Sequence, residues 1–186
     1  MMEEIWNFLK NPSYSPYLEH TAKEKKTIFF RILTLTVAFS FILGIAMRII
    51  TSLVGADLGE HGMESILKKY SLFVIFLLAV VLAPLLEELL FRAPLALFEN
   101  SRFFKIAFYT SALLFGAVHL NNFETFTDYF WLAPVLIAPQ AAAGFFLGFV
   151  RVKLGLSWSI LLHAAHNAIL LSPVIFLKLF GEPIAL

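Results

Sequence analysis

Pro84-Leu85-Leu86-Glu87-Glu88-Leu89-Leu90-Phe91-Arg92 lies inside an apolar run from about Tyr70 to Phe98, and its reading decides the fold. An apolar run of this length is the signature of a transmembrane helix, for which about 20 residues suffice. Three charges within it are costly. Each is worth about 2.5–3.5 kcal/mol at mid-membrane when unpaired, roughly 8–10 kcal/mol together, as much as the stability of a whole domain. They must therefore be paired, hydrated or neutralised. Glu88 and Arg92 stand i and i+4, acid before base, on one helix face, and this spacing favours an internal ion pair. Glu87 lies about 100° round the helix from Glu88 and has no such partner in its own span. A carboxylate left without a cation suits general acid–base chemistry. The competing reading is that both glutamates only brace helices through Arg92.

Outward from this run, four more apolar segments are legible, at about Thr27–Ile50, Phe104–Leu120, Trp131–Val150 and Leu156–Phe180. The expected fold is all-α, a multi-pass transmembrane helical bundle of about five spans enclosing a polar site. The segment at 104–120 is short for a span, and Pro84 and Pro173 predict kinks in the two long ones. The polar stretch 51–69 carries a surface helix at Met63–Lys69. Ile5, Trp6, Phe8 and Leu9 predict a short amphipathic helix lying in the membrane interface. The organisation expected is an N-terminal segment, first span and loop over 1–69, a core over 70–180, and a tail over 181–186. With the N-terminus inside, Lys10, Lys23, Lys25, Lys26, Arg31, Arg92, Arg102, Lys105, Arg151 and Lys153 fall on the inner side. Arg48, Lys68, Lys69 and Lys178 fall outside. That asymmetry predicts a multi-pass cell-membrane protein with a cytoplasmic N-terminus.

Two further spans carry polar residues. The third ends Phe115-Gly116-Ala117-Val118-His119, with Phe115 and His119 on one face and a glycine that admits a close neighbour. The fifth contains His163-Ala164-Ala165-His166-Asn167, in which His163 and Asn167 share a face and His166 is offset. Each histidine alone reads equally as a polar helix contact. Depth allows them to meet. Measured from the inner loops at about 1.5 Å per residue, Glu87 lies about 17 Å deep, His119 about 22 Å and His163 about 12 Å. Gly144 and Gly148 form a small-xxx-small pattern in the fourth span, which reads as scaffold.

Taken in order, Glu87-Glu88-x-x-x-Arg92, Phe115-x-x-x-His119 and His163-x-x-x-Asn167 resemble the three motifs of the CPBP family. That family is the CAAX prenyl protease and bacteriocin-processing (Abi) group of intramembrane glutamate proteases. The resemblance covers roughly residues 80–170 and implies an intramembrane endopeptidase with no cofactor and no metal. It implies that Glu87 and His119 activate water, that His163 and Asn167 stabilise the oxyanion, and that Glu88 and Arg92 order the site. It assigns no catalytic role to His166. The implied partners are a peptide or protein substrate within or at the membrane, and the lipid bilayer. The compact chain resembles the prokaryotic type, which argues against a prenylated substrate.

Three other readings compete. One is a zinc protease with Glu87, His119 and His163 or His166 as ligands, although no His-Glu-x-x-His motif is present. Another is a non-catalytic membrane adaptor or bacteriocin-immunity protein. The last is a proton-coupled transporter, disfavoured by the absence of an evident repeat.

Composition agrees with a membrane protein. Of the 186 residues 60% are hydrophobic, against about 45–50% in soluble domains. A net charge of +1 gives no basic surface for nucleic acid, and the absence of cysteine excludes disulfides, thiolate metal sites and a cysteine nucleophile. Glu3 and Glu4 precede any lysine, so the N-terminus does not read as a cleaved signal peptide.

Overall fold

The structure, a computed structural model, describes residues 2–180; the expected tail at 181–186 lies outside them. Among the described residues the chain is helical, with no strand and only an isolated antiparallel bridge between His61 and Phe123. The α-helices are α1 (Met2–Lys10), α2 (Ala22–Leu53), α3 (Gly62–Lys69), α4 (Leu72–Phe76), α5 (Ala83–Phe91), α6 (Phe104–Val118), α7 (Ala133–Lys153) and α8 (Leu156–Phe180). A π-helical turn, Leu77–Leu82, joins α4 to α5, and a 3-10 turn, Ala93–Phe98, follows α5.

Four helical stretches are long and apolar enough to cross a membrane: Ala22–Leu53, Leu72–Phe98, Phe126–Lys153 and Leu156–Phe180. The third expected span differs. α6 has only 15 residues, about 22 Å of helix, short of the ~30 Å hydrocarbon core. It hands over to the 3-10 turns His119–Asn122 and Phe126–Leu132, and the segment between them lies against the α2–α3 loop. There Thr125 donates its hydroxyl to the Asp57 carbonyl at 2.7 Å, and the Glu60 amide donates to Glu124 Oε2 at 3.1 Å.

The apolar surface identifies the solvent. Leu86 and Leu90, one turn apart on α5, are 63% and 67% exposed, while Glu88 and Arg92 on the opposite face are both 0% exposed. This is an inside-out helix, aliphatic outward and charged inward, which only a hydrocarbon environment makes stable.

α7 is the central helix. Gly144 brings α6 against it: a β-carbon at 144 would meet the Ala112 carbonyl at 3.0 Å and the Arg92 guanidinium at 3.2 Å. Gly155, at φ 106°, makes the sharp turn from α7 into α8, a conformation that strains any other residue.

The N-terminal helix departs from the expectation of an interfacial one. Ile5 and Phe8 of α1 are buried in the bundle's own core. The Phe8 ring meets Phe108 and Phe149 edge-on, each at 5.2 Å. The strap that follows is pinned by Tyr17 N–H to the Lys153 carbonyl at 2.9 Å and by the Tyr109 hydroxyl to the Leu9 carbonyl at 2.6 Å. Protein side chains offered this apolar face closer packing than lipid would. Partial burial and the hydrogen bond donated to Glu4 raise the pKa of the Tyr17 hydroxyl.

Candidate active site

Pro84 has no N–H to donate. The π-helical turn before it shifts the hydrogen-bond register by one residue, so that the Ala83 N–H reaches the Leu78 carbonyl. In that register Pro84 would be the partner of Ala79, whose carbonyl is left open. Asn167 fills the gap, donating from Nδ2 to the Ala79 oxygen at 2.9 Å. A broken helix in the membrane is tolerated where another helix satisfies the freed backbone group.

The same contact orders a chain of groups. With Asn167 Nδ2 donating, its Oδ1 accepts from His166 Nδ1 at 3.3 Å, and His166 Nε2 then accepts from the Ser40 hydroxyl at 2.9 Å. The relay runs from α2 through α8 to the π turn. Both ring nitrogens of His166 are thus taken up by neighbours. One of the two Asn167 amide hydrogens remains for other use.

Glu88 sits at 0% exposure with three partners. Arg92 Nε lies 3.7 Å from its Oε1, His163 Nδ1 lies 3.1 Å from the same oxygen, and the Ser159 hydroxyl donates to Oε2. Arg92 is further held by the Gly144 carbonyl at 3.3 Å and by the Phe115 ring 4.1 Å beneath its guanidinium. The expected i, i+4 ion pair is therefore present. Ser159 was missed by sequence reasoning although it stands one turn before His163, on the same face.

Glu87 is built differently. Its Oε2 is buried without a hydrogen-bond partner, and its nearest cation-capable neighbour is His163 Nε2 at 3.7 Å. This is too long for a direct hydrogen bond. His163 thus stands between the two glutamates, with Nδ1–H committed to Glu88 and Nε2 turned to Glu87. His119 donates Nδ1–H to the Phe115 carbonyl at 2.7 Å, which in the neutral ring leaves Nε2 as an acceptor.

Glu87, His119, His163 and Asn167 all line one cavity of about 580 Å³ between α2, α5, α7 and α8. Arg92 and Glu88 lie behind its wall. Apolar residues make up much of the rest of its lining, among them Met47, Met63, Ile75 and Leu171. His61 of the α2–α3 loop also reaches it and caps α3, its Nδ1 accepting from the Met63 amide at 3.2 Å. Burial lowers the His61 pKa; Glu64 opposes this and His119 adds to it. Among the described residues no three His, Cys, Asp or Glu side chains converge in a group able to hold a metal ion.

One lining residue was not anticipated. Gln140 of α7 faces the cavity, and its Oε1 is buried with no hydrogen-bond partner. A buried acceptor left unmatched costs about 1–3 kcal/mol. An isolated glutamine carries no motif, so only the three-dimensional structure reveals it.

A helical bundle with an aliphatic exterior and a cavity bearing charged side chains between its helices defines a multi-pass membrane protein with a polar site within its spans. A family profile described as type II CAAX prenyl endopeptidase Rce1-like matches residues 69–169, more than half of the chain and all three motifs. The chain belongs to that family of CAAX protease-type peptidases. No curated protein and no solved structure matches it.

Proposed function

We propose that the protein is an intramembrane endopeptidase that hydrolyses a peptide bond of a membrane-associated substrate with side-chain-activated water. One observation carries this reading: of two adjacent membrane-embedded carboxylates, Glu88 is fully engaged while Glu87 Oε2 has no hydrogen-bond partner beside a cavity. Glu87 and the acceptor Nε2 of His119 together suit the two hydrogens of one water molecule. The water oxygen attacks the substrate carbonyl carbon as its proton passes to Glu87. The negative charge that develops on the carbonyl oxygen is met by His163, protonated at Nε2 with Glu88 backing its Nδ1–H, and by the second Asn167 amide hydrogen. Collapse breaks the C–N bond, and the proton held by Glu87 goes to the departing amine. Glu88, Arg92 and Ser159 orient His163 without touching substrate.

The apolar lining of the cavity suits a substrate segment delivered from the bilayer, and the lysine and arginine asymmetry supports a cytoplasmic N-terminus. The decisive experiment compares cleavage of a membrane-peptide library by the wild-type protein and Glu87→Gln, each purified in liposomes. The variant is expected to lose roughly a hundred- to ten-thousandfold in rate at unchanged thermal stability, and cleavage is expected to persist in strong chelators. Full activity of folded Glu87→Gln overturns the assignment.

A further inference from the structure

Gln140 is the sole polar side chain of α7 between Ala133 and Val150, on the helix that packs at the centre of the bundle. Ala141, Ala142, Ala143 and Gly144 follow it, and Pro139 precedes it, buried within the helix. None of the three motifs includes α7. Yet the Gln140 side chain lines the same cavity as Glu87, His119 and Asn167, and it makes no hydrogen bond to any described residue, with Oε1 buried. Of the other uncharged polar side chains lining the cavity, Asn167 is engaged on Ala79 and Ser40 on His166, while Asn122, in the 3-10 turn after α6, shares with Gln140 the lack of a hydrogen bond to a described residue.

A buried amide that braces helices would be bonded to one of them. An amide that finds no partner among the protein's own groups, beside side chains aimed at a reacting bond, is free to meet one that enters. A primary amide offers one acceptor and one donor side by side, the complement of a peptide unit's N–H and C=O. A strand of substrate in a low-dielectric cavity must have its backbone groups satisfied by the protein, and Gln140 offers an uncommitted donor and acceptor on the cavity wall, with Oε1 already removed from solvent.

We infer that Gln140 binds the substrate backbone, with Oε1 accepting a peptide N–H and Nε2 donating to a peptide carbonyl close to the bond that Glu87 hydrolyses. The inference rests on the peptidase reading of the site. It makes Gln140 a determinant of how the chain is seated, independent of side-chain identity in the substrate.

The test uses the full chain in liposomes and, as probe, one peptide found to be cleaved in the library experiment. Gln140→Leu keeps the volume and removes the amide. The expected result is a KM raised roughly five- to tenfold, the worth of one to two neutral hydrogen bonds, with kcat changed by less than twofold. The same factor is expected in the Kd of the probe for Glu87→Gln against Glu87→Gln/Gln140→Leu, read by fluorescence anisotropy without turnover. The melting temperature of Gln140→Leu is expected to equal or exceed that of the wild type, since an unmatched amide has been removed. A lowered melting temperature with unchanged KM would make Gln140 a structural residue, and unchanged KM and Kd at full stability would also overturn the inference. Absence of cleavage by the wild type on every library member would instead overturn the peptidase reading, and with it the basis of this one.

Discussion

Arg92→Met tests the energetic core of the site. In the wild type, Arg92 and Glu88 are both 0% exposed, 3.7 Å apart, on one face of α5. Removing the cation leaves Glu88 with only the Ser159 hydroxyl and His163 Nδ1, an uncompensated buried charge worth about 3–5 kcal/mol. At about 2–4 °C per kcal/mol for a chain of this size, the melting temperature should fall by roughly 6–20 °C. Glu88→Gln/Arg92→Met removes both charges and leaves a neutral pair of similar volume. It should recover more than half of that loss, because replacing a buried ion pair whole is often nearly neutral. Thermal unfolding of wild type, both single variants and the double variant in one detergent gives the complete cycle. Additivity to within about 0.5 kcal/mol would refute the reasoning, since it would mean that the two groups do not interact across 3.7 Å.

Two further outcomes are expected. Asn167→Leu leaves the Ala79 carbonyl and the His166 Nδ1–H without partners, so it should lose about 1–3 kcal/mol as well as activity; an activity loss at wild-type stability would show that the bond to the π turn is unimportant. For His61, burial lowers the folded pKa below the ordinary 6.5, so its contribution to stability is full above about 6.5 and is lost as pH falls through the folded value. Protonation takes the lone pair that caps α3, and hydrogen exchange at Met63, corrected for intrinsic rate, should speed up at pH 5 relative to pH 7.5; equal protection at both would exclude the effect.

The charged face of α5 was legible because helical periodicity alone puts Glu88 over Arg92, and hydrocarbon makes pairing obligatory. The convergence of His119 and His163 with Glu87 on one cavity required three separate helices, and the three spaced motifs supplied what periodicity does not. The π turn at 77–82 was hidden. Pro84 announces a disturbance, but the direction of the register shift depends on whether another helix offers a donor to Ala79, and Asn167 lies 88 positions further along. The fate of α1 was hidden for a similar reason. An amphipathic face reports that Ile5 and Phe8 will be buried without reporting whether lipid or Phe108 and Phe149 will cover them. α6 was counted as a span because its apolar run continues to Leu120, whereas the helix stops at Val118. His119 ends the regular helix by turning its Nδ1 back to the Phe115 carbonyl.

The Ser40–His166–Asn167 relay carries a consequence for dissecting this protein. Ser40 belongs to α2, before the region that the family profile matches, yet its hydroxyl fixes the ring that fixes the amide that closes the break in the second span. A fragment beginning at residue 69 would retain every motif and lose the anchor of one of them. The portable unit of this chain, for grafting or minimisation, therefore begins at the capping box of Thr21 and Glu24 that starts α2, and its boundary is drawn by a hydroxyl rather than by a sequence signature.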